Sequence, residues 1–221
     1  MKTNFFLEFI SLIFDLPTKI KGRIKRKTIL NSFQHVGENF QFNPLNSIIP
    51  KEGSKSVGDN VFVGDNAYFG GDISIGNNVM FGPNVTLVGG NHIFAIKGKH
   101  PRYLKPIPRL NPEPILIEDE NWIGANVVIL GNVTIGIGSV IGAGSVVVNN
   151  ISPFTISVGN PCRPKKQIFS NSDLSTHLLE IGYSADFAIK VVQRRKNELK
   201  NIALPIVDKT EQITDYIYDL F

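Results

Sequence analysis

Few side chains in these 221 residues could carry out chemistry. There are four histidines, His35, His92, His100 and His177, and one cysteine, Cys162. An imidazole, with an ordinary pKa near 6.5, can take a proton from a weak nucleophile such as a hydroxyl. A single thiol excludes an internal disulfide and a multi-cysteine zinc site. A zinc site built from imidazoles with an open position would need three of them. Only His92 and His100 share a segment, VGGNHIFAIKGKHPRYLKPIPRLNPEPIL, residues 88–116. It holds Pro101, Pro106, Pro108, Pro112 and Pro114, and the bases Lys97, Lys99, Arg102, Lys105 and Arg109. His92 lies at its root. His100 lies farther out, beside Pro101, and is taken as an exposed loop residue. Long loops in compact domains are usually functional.

The segment interrupts a repeat. Stepping by six from Val57 gives Val63, Phe69, Ile75, Phe81 and Leu87. Stepping by six from Ile117 gives Ile123, Ile129, Ile135, Ile141 and Val147. With 42% apolar residues overall, such a run has a chance of about 3 × 10⁻⁵, which marks a repeat. Glycine follows at 58, 64, 70, 76, 82, 124, 136 and 142, and small or β-branched residues such as Ala67, Val79, Val85, Val127, Ser139 and Ser145 come four positions on.

A period of six fits neither an amphipathic helix nor a hairpin sheet. It fits a prism. Each hexapeptide makes a short strand and a corner, and three close one coil. The aliphatic residue points inward, and Gly, Asn or Asp takes the positive φ of the corners. Each coil buries its apolar side only against the coils beside it.

The composition agrees. Charged residues make up 19% of the chain and its net charge is +4, which fits neither a disordered chain nor one embedded in a membrane. Nucleic-acid binding is not expected, because no recognition motif accompanies the basic cluster Lys19, Lys21, Arg23, Lys25, Arg26 and Lys27. Before it, MKTNFFLEFISLIFDL places Phe5, Phe6, Phe9, Ile10, Ile13 and Phe14 at helical spacing. Glu8 and Asp15 interrupt this stretch and the cations follow it, so it is not a secretory signal. It is expected to pack on the protein, or to rest on anionic lipid. After Phe169 the repeat ends, and Ser184 is placed to cap a helix over DFAIKVVQRRKNELKN.

Residues 36–169 resemble the hexapeptide-repeat acyltransferases, and PNVTL followed by His92 resembles the root of the loop in their sugar O-acetyltransferases. The resemblance implies a mainly β fold, a left-handed parallel β-helix with a protruding catalytic loop (88–116) and helical extensions at 1–35 and 170–221. The handedness comes from the resemblance alone, since parallel crossovers are ordinarily right-handed. It implies His92 as general base, acetyl-CoA as co-substrate, no metal, and a homotrimer with active sites between subunits. IEDENWIGANVVILGNVTIGIGSVIGAGSVV and VGNPCRPKKQ resemble the donor-binding coils. Position by position, Trp122 matches an aromatic near the active site, and Ala125 and Ala143 match small residues beside the pantetheine arm. Val148 and Asn149 match the turn that contacts the cofactor, although Val148 stands where a polar or basic residue is usual. Arg163 and Lys166 match bases facing the nucleotide phosphates. Cys162, in the GNPCRP turn, is taken as structural.

Galactoside-type members carry an Asn and an Asp where this chain has Phe62 and Gly70, so a galactoside acceptor is not expected. Asp72, Asn84 and Asn91 are the nearby polar candidates for the acceptor. The expected function is acetyl transfer to a hydroxyl of a saccharide, a cell-surface polysaccharide or its precursor. The alternatives are an N-acetyltransferase on an amino sugar, an antibiotic acetyltransferase, or a non-catalytic β-helix scaffold. A carbonic anhydrase of the same fold would need three histidine ligands, and only His92 and His100 lie in the plausible region. The expected location is the cytoplasm, with peripheral contact at the inner face of the plasma membrane.

Overall fold

A computed structural model describes residues 4–90, 96–104 and 113–207, with side chains from residue 17 onward. The six-residue pattern folds into short strands on three faces. The first face stacks His35–Val36, Lys55–Val57, Ile73–Ile75, Ile115–Ile117 and Val133–Ile135. The second stacks Phe62–Val63, Met80–Phe81, Trp122–Ile123, Val140–Ile141, Thr155–Val158 and Arg163–Gln167. The third stacks Tyr68–Gly70, Thr86–Val88, Val128–Leu130 and Val146–Val147. Ser56 pairs with Ser74 in parallel, an offset of 18 positions between coils. The fold is a left-handed parallel β-helix of about six turns with a few helices.

The predicted interior is the observed one. The twelve aliphatic and aromatic positions of the repeat, Val57 through Val147, are each no more than 3% exposed. Burying such a side chain is worth about 1.5–3 kcal/mol, set against the entropy of ordering the chain. Ser139 and Ser145 are also interior, and their hydroxyls donate to the carbonyls of Ser152 (2.9 Å) and Gly142 (2.6 Å).

The corners correct one expectation. Glycines such as Gly71, Gly138 and Gly144 take positive φ as expected. Among the other residues that do so asparagine predominates, with Asn60, Asn66, Asn78, Asn84, Asn126 and Asn132 at +56 to +62°, whereas no aspartate among the described residues does. The glycine after each aliphatic residue is needed for a different reason. A Cβ on Gly124 would sit 2.7 Å from the Ala143 nitrogen of the next coil. Asp59 and Asp119 take neither role. Their carboxylates accept the backbone N–H of Glu38 (2.6 Å) and Asn77 (2.8 Å), one coil away.

The ends carry the helices. α1 (Asn4–Leu30) runs through Pro17 and includes the basic cluster. Lys25 Nζ donates to the Leu45 carbonyl (3.1 Å) and Arg26 Nη2 to that of Phe40 (2.6 Å), so two of these cations hold the helix on the first coil. After Thr155–Val158 the chain turns through Cys162, and Arg163–Gln167 runs antiparallel against it, a reversal that a pattern of sixes does not announce. α2 (Asn171–Glu180) and α3 (Ala185–Glu198) follow, capped by the Ser170 and Ser184 hydroxyls. They form a second core of Ile137, Phe154, Leu174, Leu178, Ala188 and Val191. No helix among the described residues is long and apolar enough to cross a membrane.

Candidate functional site

The interruption leaves the prism after Thr86–Val88 and returns at Ile115, on the corner between the third and first faces. Its roots are clamped by backbone bonds. Gly89 N donates to Gly70 O (2.7 Å), Ile115 N to Asp72 O (2.9 Å), and Asn132 N to Pro114 O (3.0 Å). The stack continues unbroken, since Ile73 pairs with Ile115 and Ile75 with Ile117. His92 and Asn91 lie outside the described residues. Of the excursion itself, a 3-10 turn at Pro101–Tyr103 is described, with the exposed His100 ring meeting Tyr103 edge-on at 6.1 Å. A Cβ on Gly90, two residues before His92, would meet nothing within 4 Å among the described residues.

The acceptor candidates separate. Asp72 is at the loop root, where its carboxylate accepts the Ser54 amide (2.6 Å). It also faces buried Lys55. Desolvation lowers the Lys55 pKa, and the charges of Asp72 and Glu52 act against that. Asn84 is on the other corner of the third face, in a ladder of carboxamides. It accepts from Asn66 Nδ2 (3.1 Å) and donates to Asn126 Oδ1 (3.0 Å).

The donor candidates fall into two groups. Ala125 and Ala143 stack on the corner shared with Asn84, and Gly144 N donates to Ala125 O (2.8 Å). At the preceding corner the Asp59 amide is taken by Asn77 Oδ1 (2.8 Å) and the Asn77 amide by Asp119 Oδ1. Beside Ala125 the next coil offers only a methyl group, that of Ala143. Among the described residues no side chain takes either alanine amide. Trp122, 43% exposed on the second face between Met80 and Val140, leads into this corner. The second group is at the C-terminal end of the stack. Asn149 and Arg163 line a groove of 350 Å³ with Cys162, Glu198, Leu199 and Ile202. Exposed Val148 adjoins it in sequence, and Lys166 faces Ile156 across the antiparallel pair.

Cys162 is 2% exposed, and burial pushes its thiol up to about 11. At neutral pH it is therefore a protonated core residue and not a nucleophile. Among the described residues no group of three or more His, Cys, Asp or Glu could hold a metal ion.

The sequence reading left the α3 contacts unassigned. Arg194 Nη1 meets both Glu118 oxygens (2.7 and 2.9 Å), and Arg194 Nε meets Glu198 (2.8 Å). Burial works against the Arg194 charge, but the bonds to Glu198 and Glu118 outweigh it and raise its pKa. Tyr183 donates to Asp119 (3.1 Å), and burial followed by that carboxylate raises its pKa. Arg195 is buried. Helical spacing held the signal for it, because Ala188, Val191 and Arg195 form the buried stripe of α3.

The family described as bacterial transferase hexapeptide (six repeats) matches residues 54–89 and 114–149. Over 157 residues the chain is 32% identical to galactoside O-acetyltransferase of Escherichia coli, covering 70% of this chain and 63% of that one. Over 55 residues, 25% of this chain, it is 54% identical to a putative acetyltransferase of Schizosaccharomyces pombe, 27% of whose length is matched. It thus spans less than two thirds of either relative. A hexapeptide-repeat-containing acetyltransferase of Vibrio cholerae, solved with acetyl coenzyme A, superposes with a TM-score of 0.56 at 30% identity, over 64% of this chain and 75% of that one.

Proposed function

This chain belongs to the hexapeptide-repeat acyltransferase family, and on that premise we propose that it transfers an acetyl group from acetyl-CoA to a hydroxyl of a saccharide. The observation that carries the reading is the corner at Ala125 and Ala143. Two small residues stand there one coil apart, with backbone amides that no side chain takes among the described residues. Such a corner fits a slender amide-bearing arm, whose carbonyls could accept those N–H groups. Asn149 and Arg163 would then hold the polar end of the donor, with Lys166 supplying a further charge.

His92 serves as general base in this proposal. It takes the hydroxyl proton while the oxygen bonds to the acyl carbon. The carbon–sulfur bond breaks, and the proton passes to the departing sulfur, so no covalent enzyme intermediate forms. The buried thiol of Cys162 supports that economy. Asp72, placed at the loop root, is the acceptor-binding residue proposed among the described residues, and Asn91 is proposed from the sequence alone. Asn84 already makes carboxamide bonds on both sides. The proposed catalytic unit is residues 36–169, in a homotrimer, in the cytoplasm at the inner membrane face.

The test is to incubate the protein with acetyl-CoA and a panel of neutral glycans, acidic glycans and amino sugars, following free thiol. We expect thiol release with a glycan and a base-labile ester in the product. An amide product would replace this reading with N-acetylation. Silence with every acceptor, together with no acetyl-CoA binding, would replace it with a scaffold.

A further inference from the structure

Two corners of the prism carry ladders of carboxamides, and the ladders end differently. Between the first and second faces, Asn60 Nδ2 donates to Asn78 Oδ1 (3.2 Å) and Asn78 Nδ2 to Glu120 Oε1 (2.8 Å). An ionised carboxylate only accepts, so Glu120 closes this ladder, and the Tyr183 hydroxyl donates to the same oxygen (3.5 Å). One coil on, position 138 is glycine. A Cβ there would lie 2.4 Å from the Phe154 ring, so packing explains it.

Between the second and third faces, Asn66 Nδ2 donates to Asn84 Oδ1 (3.1 Å) and Asn84 Nδ2 to Asn126 Oδ1 (3.0 Å). This ladder stops on a donor. Asn126 is exposed, and its Nδ2 has no acceptor among the described residues. One coil on stands Gly144, also exposed. Gly144 N donates to Ala125 O (2.8 Å) as Asn126 N donates to Pro83 O (2.9 Å) and Asn84 N to Asp65 O (2.8 Å), so it holds the same corner position. Its φ of +71° is one that asparagine tolerates. A Cβ there would meet nothing within 4 Å among the described residues. Neither backbone nor packing thus demands glycine here, unlike at position 138. Its lack of a side chain keeps clear the line along which Asn126 Nδ2 faces the next coil, beside the Ala125 and Ala143 amides.

We propose that Asn126 is a further donor-binding residue, whose Nδ2 donates to a carbonyl oxygen of the pantetheine arm lying over Gly144. The arm's amide takes the place of the next carboxamide in the ladder. Asn66 and Asn84 hold the Asn126 amide with its oxygen turned back and its nitrogen turned toward the arm. This inference rests on the acetyl-CoA reading and adds to it a side chain that recognises an amide.

Coenzyme A binding to the full chain is measured by calorimetry, with adenosine 3′,5′-bisphosphate as the armless probe. Asn126→Gly keeps the positive φ. It is expected to weaken coenzyme A about fivefold, the scale of one neutral hydrogen bond, and to leave the bisphosphate unchanged. Asn66→Gly removes a rung of the same ladder two coils away and should bind both probes as the wild type does. Gly144→Asn gives Asn126 its next acceptor. Its thermal midpoint should equal or exceed that of the wild type, and coenzyme A should bind about tenfold more weakly, because the new side chain stands where the arm would lie. Wild-type affinity for coenzyme A in Asn126→Gly or in folded Gly144→Asn overturns the inference and leaves the acetyl-CoA reading standing. So does equal weakening by Asn126→Gly and Asn66→Gly, or equal weakening of the two probes by Asn126→Gly. If Gly144→Asn does not fold, the two asparagine variants decide alone. Failure of the wild type to bind coenzyme A at all overturns both the reading and the inference.

Discussion

At the scale of single residues, the proposal makes different demands on His92 and Cys162. His92→Ala is expected to lower kcat by about 10²–10⁴-fold while acetyl-CoA binding stays near normal, as read by thiol release and by calorimetry. Cys162→Ala should leave turnover within about twofold and lower stability by about 1 kcal/mol, the scale of a small core truncation. Its pH dependence has a definite sign. The folded thiol keeps its proton up to about 11, against an ordinary value of 9.0. The unfolded chain releases that proton first, so the stabilisation is complete below pH 9 and fades between about 9 and 11. Urea midpoints measured across that window should fall less steeply in Cys162→Ala than in the wild type. Tyr183, whose pKa is also raised, adds to the same alkaline decline. The sequence exposed these residues unequally. Cys162 could be named as the only thiol, but its burial depends on the reversal of Arg163–Gln167, which no repeat encodes. Arg195 looked like one more cation in QRRKN, and only its helical register showed that it faces inward.

At the scale of elements, the wall of the prism was legible because one rule recurs: an inward aliphatic residue every six positions. What the rule could not supply was the reason for each corner residue. Glycine and asparagine both suit positive φ and both take it here, yet the glycine after an inward aliphatic residue instead makes room for the next coil. Gly71 is a place where both demands meet. Its φ is +97°, and a Cβ there would lie 2.2 Å from the Gly89 carbonyl oxygen. Gly71→Ala should therefore cost about 3 kcal/mol, seen as a lower urea midpoint, and it should disturb the loop root beside it. The opposite corner tests the donor groove. Ala143→Trp puts a bulky ring where two methyl groups now stack. The variant is expected to keep the far-ultraviolet signature of the wild type and to lose measurable acetyl-CoA binding in calorimetry. Retained binding would mean that the donor lies elsewhere.

At the scale of the whole molecule, the outward side of the second face is a stripe of Phe62, Met80 and Trp122, each 43–52% exposed. A row of this kind suits burial against another copy. Sedimentation equilibrium is expected to give three times the 24.4 kDa chain mass, and Phe62→Glu with Met80→Glu should lower it. α1 presents exposed Ile20 and Ile24 beside Lys21 and Lys25. Deleting residues 1–16 should release any fraction that floats with anionic vesicles, and unchanged flotation would discard the anchoring idea. The sequence showed where these appendages begin, because the repeat stops there. It did not show that Lys25 and Arg26 tie α1 to the first coil, since carbonyl acceptors leave no mark in side-chain identity.

The register of the wall has an evolutionary corollary. From Lys55 to Val147 pairing partners stand 18 positions apart, except across the excursion, where the offset is 42; the first coil has offsets of 21 and 20 and the last of 16. Insertions or deletions within the wall are thus tolerable only in whole coils, each moving everything downstream by one strand spacing, about 4.8 Å along the axis. A change of any other length would turn inward side chains out. The excursion escapes this quantum, as the first and last coils do on a smaller scale. It can lengthen or shorten one residue at a time, so variation in acceptor choice among descendants of this chain should accumulate there while the scaffold changes length in jumps.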